Sequence, residues 1–222
     1  MSRSNFAHTV MYCSDSWIAP RTSAKHDGQT HLVVAERGVH PRQTDMADVL
    51  DMLAGTGMRL GEILALQWSD IDLVASPATV TARATVSLDA HGKIFIQEHG
   101  KTVSSHRTLL LPVFTTKLLE KRRVESTGVL VFPSGTGTIR WPHNMRRQWR
   151  GALAGTEYKD VSPRDFRKAV ATILKRQSGT EAARDQLGHS SDTVTRKHYI
   201  EILHMGPNAT SILDNAFGKM DS

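Results

Sequence analysis

The segment VSPRDFRKAVATILKRQ carries the most legible chemistry in the chain. Ser162 is a good helix N-cap and Pro163 suits the first helical position. At about 100° per residue, Arg164, Arg167, Lys168, Ala171 and Lys175 share one face, while Phe166, Ala169, Val170, Ile173 and Leu174 occupy the other. A basic stripe near a helix N-terminus, over an apolar keel, fits a phosphate site. Guanidinium forks bind phosphate oxygens bidentately and the helix dipole adds to them. The same pattern also fits an ordinary amphipathic surface helix with a basic outer face. Three other segments hold reactive residue types. In DQLGHSSDTVTRKHYIE, Gly188 ends a helix, His189 sits in the turn, and Tyr199 follows ten residues on. Read singly, such a tyrosine is a core residue with a satisfied hydroxyl. In TGMRLGEILALQWSDIDL, Arg59 lies between a glycine stop and a new helix, a place for capping or an ion pair with Glu62. In HGKTVSSHRTLLLP, Lys101 begins a strand after a glycine turn and reads alone as a surface charge.

The charge distribution adds a direction. The 222 residues carry 28 basic and 22 acidic side chains, a net +6. Residues 101–176 alone hold 16 basic and 5 acidic side chains, and both flanks are net acidic. Concentrated positive charge points to a polyanion partner, or to a solvated basic face. With 39% apolar and 23% charged residues, disorder and fibrous repeats are excluded. No unbroken apolar run exceeds four residues, far short of the roughly 20 a membrane helix needs. The N-terminus lacks the order of a secretion signal. Cys13 is the only cysteine, so no internal disulfide or cysteine zinc cage can form. A soluble, intracellular protein is expected. No Walker loop and no histidine or carboxylate cluster with metal spacing stands out.

These groups must be positioned by elements that the pattern also predicts. Residues 1–43 read as a poorly packed leader. From Thr44, Met46, Val49, Leu50 and Leu53 recur at helical spacing until Gly55 and Gly57. A second helix begins directly after Arg59. Residues 79–88, 93–97 and 107–111 read as three short antiparallel strands. Helices follow over 113–125, 143–153, 163–177, 180–187 and 208–217. The expected fold class is α+β, mostly helical with a small three-stranded antiparallel sheet.

Taken in order, the four segments resemble the catalytic domain of tyrosine recombinases, the phage-integrase family, over residues 44–203. The pattern is Arg-Leu-Gly-Glu between two helices, Lys-Thr in a β-turn, Pro-Arg-Asp-Phe-Arg opening a helix, and Leu-Gly-His followed by Tyr. Its flavour is that of integrases from actinobacteria and their phages. The resemblance implies a site-specific DNA recombinase, with Arg59 and Arg167 as the catalytic arginines and Glu62 as the companion of Arg59. It makes Lys101 the proton donor to the 5′-hydroxyl leaving group, ahead of Lys93 in the preceding turn. His189 becomes the histidine of the Leu-Gly-His box, and Tyr199 the nucleophile that forms a 3′-phosphotyrosine. Two guanidiniums stabilising the phosphate oxygens need neither metal nor ATP, so no cofactor is expected. The implied partner is double-stranded DNA in the nucleoid, with Arg140, Arg146, Arg147, Arg150, Lys168 and Lys175 as backbone contacts. A homotetramer on DNA would form through the C-terminal tail, where residues 208–217 either dock on a neighbour or fold back onto their own core.

Two departures qualify the match. Arg164 stands where most relatives have a histidine. It stays protonated and cannot act as a general base, so a phosphate contact and slowed or pH-shifted cleavage are expected. Residues 1–43 are too few for the core-binding domain that relatives carry in front. A catalytically weak or silent DNA-binding remnant is therefore the alternative, and a type IB topoisomerase-like relaxase a third reading.

Overall fold

The spacing of Met46, Val49, Leu50 and Leu53 folds as a helix, α1 (Pro41–Thr56), and all four side chains are buried. The structure, a computed structural model, describes residues 41–98, 106–188 and 207–217. Lys101, His189 and Tyr199 lie outside the described residues, as do residues 1–40 of the expected leader. Helix α1 runs through Gly55, and the chain turns at Gly57 (φ +66°), whose N–H donates to the Leu53 carbonyl at 2.9 Å. Helix α2 (Leu60–Ala65) follows with Arg59 as its N-cap residue.

Beyond a 3-10 turn at Trp68–Asp70 come five short strands: β1 (Ile71–Asp72), β2 (Thr79–Ala82), β3 (Ala84–Leu88), β4 (Ile94–Glu98) and β5 (Arg107–Leu110). They form two antiparallel sheets rather than one. Strands β1, β2 and β5 make a three-stranded sheet whose β1 is not among the expected strands. Strand β3 pairs with β4 as a separate hairpin, so the expected strand over 93–97 joins neither β2 nor β5. The single strand predicted over 79–88 breaks at Arg83. That guanidinium is held by Asp70, by Gln67 at 3.0 Å and by Glu98 at 3.3 Å, which pins the point where the chain changes sheets. In the β2–β5 register Arg107 lies opposite Ala82 and Leu109 opposite Val80. Arg107 and Leu109 are both buried, so the inward face of β5 begins with a cation.

The remaining helices are α3 (Val113–Glu125), α4 (Pro142–Leu153), α5 (Pro163–Leu187) and α6 (Thr210–Phe217). The helices predicted over 163–177 and 180–187 are both present as the two halves of α5, which meet at a non-helical break at Gly179 (φ 89°, ψ 173°). Helix α5 ends at Gly188 in the left-handed conformation. Helix α1 packs against α2, α3, α5 and α6. Of the two placements expected for the C-terminal helix, the structure shows the fold-back, with Leu213 and Phe217 buried in the common core. Asp214 receives the N–H groups of Val113 and Phe114 at 3.0 and 3.4 Å. It thus caps α3, whose own N-cap residue Pro112 has no capping side chain. Among the described residues, no helix is long and apolar enough to cross a membrane.

Gly57 fixes how closely α1 and α5 approach. A Cβ there would lie 2.7 Å from Leu187 Cδ2 and 3.0 Å from Val170 Cγ1, on a backbone that L-residues rarely adopt. Gly57→Ala is expected to lower the unfolding free energy by about 2–4 kcal/mol, combining left-handed strain with core overpacking. Urea denaturation measures it.

Candidate active site

The site is built where the loop after α1 meets the C-terminal end of α5. Arg59 and Glu62 lie on this loop and the first turn of α2. The Glu62 carboxylate accepts the Arg59 backbone N–H at 2.9 Å and the Arg59 Nη1 at 2.8 Å. It therefore caps α2 and orients the Arg59 side chain with one group. The ion pair expected between Arg59 and Glu62 is present.

Glu62 has a second partner that the sequence reading missed. Arg107, 3% exposed, donates Nη2 to Glu62 Oε2 at 2.8 Å and Nη1 to Oε1 at 3.5 Å. Its Nε donates to the Gln186 carbonyl at 3.2 Å. Burial alone would raise the Glu62 pKa, but Arg107 and then Arg59 overcome it and hold the carboxyl at about 2. The signal was present in HGKTVSSHRTLLLP. Alternation puts Arg107 on the same face as Leu109, and a cation on an inward face requires a carboxylate.

Arg167 comes to the same place from α5. Its Nη1 donates to the Gly57 carbonyl at 2.7 Å and its Nη2 to the Leu187 carbonyl at 2.6 Å. Gly57 follows α1 and Leu187 ends α5, so this guanidinium sits between two helix C-termini, where the dipoles favour a cation. Even so, burial and then repulsion by Arg59 and Arg107 lower its pKa from 12.5 to about 10. It remains charged at neutral pH. Three guanidiniums thus surround one carboxylate, and the excess positive charge is a site for an anion. The Arg59 side chain is 54% exposed, so the cluster opens to solvent on that side.

The other expected site residues fall into two groups. Arg164 is exposed on the first turn of α5 and makes no side-chain hydrogen bond or ion pair among the described residues. Lys168 is exposed and paired with Asp165 at 2.9 Å, and Lys175 is exposed. Arg146, Arg147 and Arg150 are exposed on one side of α4, opposite buried Met145, Trp149 and Leu153. Trp149 packs edge-on against Phe166 and donates to the Val161 carbonyl at 2.6 Å, which fixes this basic helix beside the start of α5. Arg140 differs from them. It is buried and bonded to Asp45 at 3.3 Å and Gln148 at 3.0 Å, so its charge is committed inside the fold. Lys93 lies exposed in the β3–β4 turn.

Removing the shared carboxylate tests this electrostatic arrangement. Glu62→Gln is expected to cost about 3–5 kcal/mol at pH 7, because it leaves Arg107 buried without a counter-charge. A carboxyl with a depressed folded pKa contributes stability above its unfolded value of 4.5, and this is lost as pH falls toward 2. The gap between parent and variant in urea unfolding should therefore narrow over that window.

Comparisons with known proteins bear on the family and the fold. The sequence matches the phage integrase family over residues 29–204. Comparison with curated protein sequences finds no match. Among solved structures, the Tn1549 transposon integrase in complex with transposon right-end DNA is 17% identical with a TM-score of 0.57. That likeness covers 69% of this chain and 53% of that one. The XerH site-specific recombinase bound to its difH substrate is 19% identical, TM-score 0.52, over 70% of this chain and 42% of its own. The XerA recombinase is 21% identical, TM-score 0.51, over 68% and 49%. These likenesses show the fold, and the chain spans about half the length of the structures it matches. With its family match covering most of the sequence and its helices and small sheet arranged as in tyrosine recombinases, the chain belongs to the phage integrase family.

Proposed function

We propose that this chain is the catalytic part of a site-specific DNA recombinase that cleaves and rejoins strands through a covalent 3′-phosphotyrosine. The observation that carries the reading is the convergence of Arg59 and Arg167, from separate helices, on one positively charged site stabilised by a single carboxylate. Such a site suits a phosphodiester, whose charge grows on the non-bridging oxygens as phosphorus is attacked. In this reading the Tyr199 oxygen forms the bond to phosphorus as the bond to the 5′-oxygen breaks. Lys101 protonates that leaving oxygen and His189 helps to hold the phosphate. The tyrosine oxygen is a covalent nucleophile whose ester keeps the bond energy available for rejoining. The exposed arginines of α4 and Arg164 contact DNA backbone, holding the duplex without reading its sequence. Assembly as a tetramer through the C-terminal tail requires α6 to exchange its seat on its own core for a neighbour's.

The experiment uses a pool of nicked duplexes of randomised sequence, so that no attachment site need be known in advance. The expected result is a denaturant-stable protein–DNA adduct that Tyr199→Phe abolishes and that Arg59→Ala and Arg167→Ala each reduce by about 100-fold or more. Duplex binding with no adduct under any salt condition would instead support a silent DNA-binding remnant. Relaxation of supercoiled plasmid without a preferred site would support a topoisomerase-like activity.

Arg164 gives a separate prediction. A permanent cation there binds phosphate but takes no proton from the tyrosine. Arg164→His should change the pH profile of adduct formation, adding a limb near pH 6–7 where a histidine titrates. An unchanged rate and profile would contradict the role.

A further inference from the structure

We propose that Arg107 is a positioning residue, which aims Arg59 through Glu62 and at the same time ties the Arg59 loop to the end of α5. This rests on the reading of Arg59 and Arg167 as the phosphate-holding pair.

All three guanidinium nitrogens of Arg107 have protein partners, two on the Glu62 carboxylate and one on the Gln186 carbonyl. The side chain is buried, so it acts on the reacting groups only through its neighbours. Those neighbours belong to the segments that matter. Glu62 holds Arg59 by both backbone and side chain. Gln186 also donates Nε2 to the Thr56 carbonyl at 3.1 Å, and Arg167 bridges Gly57 and Leu187 beside it. The Arg59 loop and the last turn of α5 are therefore joined directly by Gln186 and Thr56 and bridged by two arginines, Arg167 and Arg107. One buried cation is thus bonded to the residue that holds Arg59 and to the carbonyl next to the one that holds Arg167. A buried ion pair is seldom cheaper than an apolar packing of the same volume, so a positional role accounts for a charge kept at this depth.

Arg107→Lys tests the idea, because its ammonium keeps the charge but lacks the planar fork that grips the Glu62 carboxylate with two nitrogens while a third reaches the Gln186 carbonyl. Gln186→Met is the second variant. It cuts the Thr56 link while leaving the backbone carbonyl that Arg107 uses. Three readouts are taken on the full chain: binding to a nicked duplex selected by the parent, single-turnover adduct formation on it, and affinity for inorganic phosphate. Arg107→Lys should bind the duplex within about threefold of the parent, since the exposed phosphate contacts are untouched. It should form adduct about 30–100-fold more slowly, the size expected of a misplaced catalytic group. Phosphate affinity should fall about tenfold. The losses should not multiply with those of Arg59→Lys, whereas they should multiply with Arg147→Ala. Should Arg107→Lys fail to fold, Gln186→Met is expected to show the same pattern at smaller size.

A parent-like adduct rate and phosphate affinity in both variants would overturn the positioning role while leaving strand cleavage intact. Losses that multiply fully with Arg59→Lys would do the same. If the parent binds phosphate, the variants weaken it and no adduct ever forms, the positioning role stands and the cleavage reading falls. If the parent neither binds phosphate nor forms adduct, both fall.

Discussion

The arrangement depends on one carboxylate shared between two arginines. Without Glu62, Arg59 has no fixed direction and Arg107 is a buried charge with no counter-ion. With it, three like charges can be brought together, since each interaction with Glu62 offsets part of their mutual repulsion. The offset is incomplete. Arg167 is still pushed down to about 10, so the cluster is electrostatically poised for an anion rather than satisfied internally. This combination of rigidity and residual positive charge is what a preorganised phosphate site requires, because the donors then need no rearrangement when charge develops on the substrate.

The fold supplies this arrangement with backbone as much as with side chains. The carbonyls of Thr56, Gly57, Gln186 and Leu187 all lie at helix C-terminal ends; those of Gly57 and Leu187 accept from Arg167, that of Gln186 from Arg107 and that of Thr56 from the Gln186 amide. Helix ends normally leave such carbonyls to water or to a cap. Here they form the seat for a guanidinium, and the close approach at Gly57 keeps the two ends together. The apolar keel of α5, with Phe166, Val170 and Leu174 buried, holds that register along the helix. Trp149 then sets the basic face of α4 against the same helix.

Much of this was legible in the sequence because its signals are local. The helical spacing before Arg59, the N-cap Ser162 with Pro163, and the stop at Gly188 each fix an element boundary through nearby residues. The ion pair of Arg59 and Glu62 is likewise a contact within one turn. What escaped was non-local. The break at Arg83 depends on Asp70 and Glu98 arriving from other segments. The burial of Arg140 depends on Asp45, almost a hundred residues earlier. The local pattern around Arg107 shows only the start of a strand, since its partners Glu62 and Gln186 lie 45 and 79 residues away. The break at Gly179 between the two expected helices is, by contrast, a local signal, since glycine adopts its positive φ without strain. A family resemblance supplied what spacing alone could not, namely the expectation that four separately ordinary segments share one site, and the described residues bring together Arg59 and Arg167 from two of them.

The most direct test of the central claim is a crystal structure of the chain with orthovanadate, a mimic of the pentavalent phosphorus in strand transfer. The account predicts one vanadate held by both Arg59 and Arg167 at about 3 Å, with Glu62 still bridging Arg59 and Arg107. A vanadate bound by only one of these arginines, or seated elsewhere on the basic surface with the cluster empty, would contradict it.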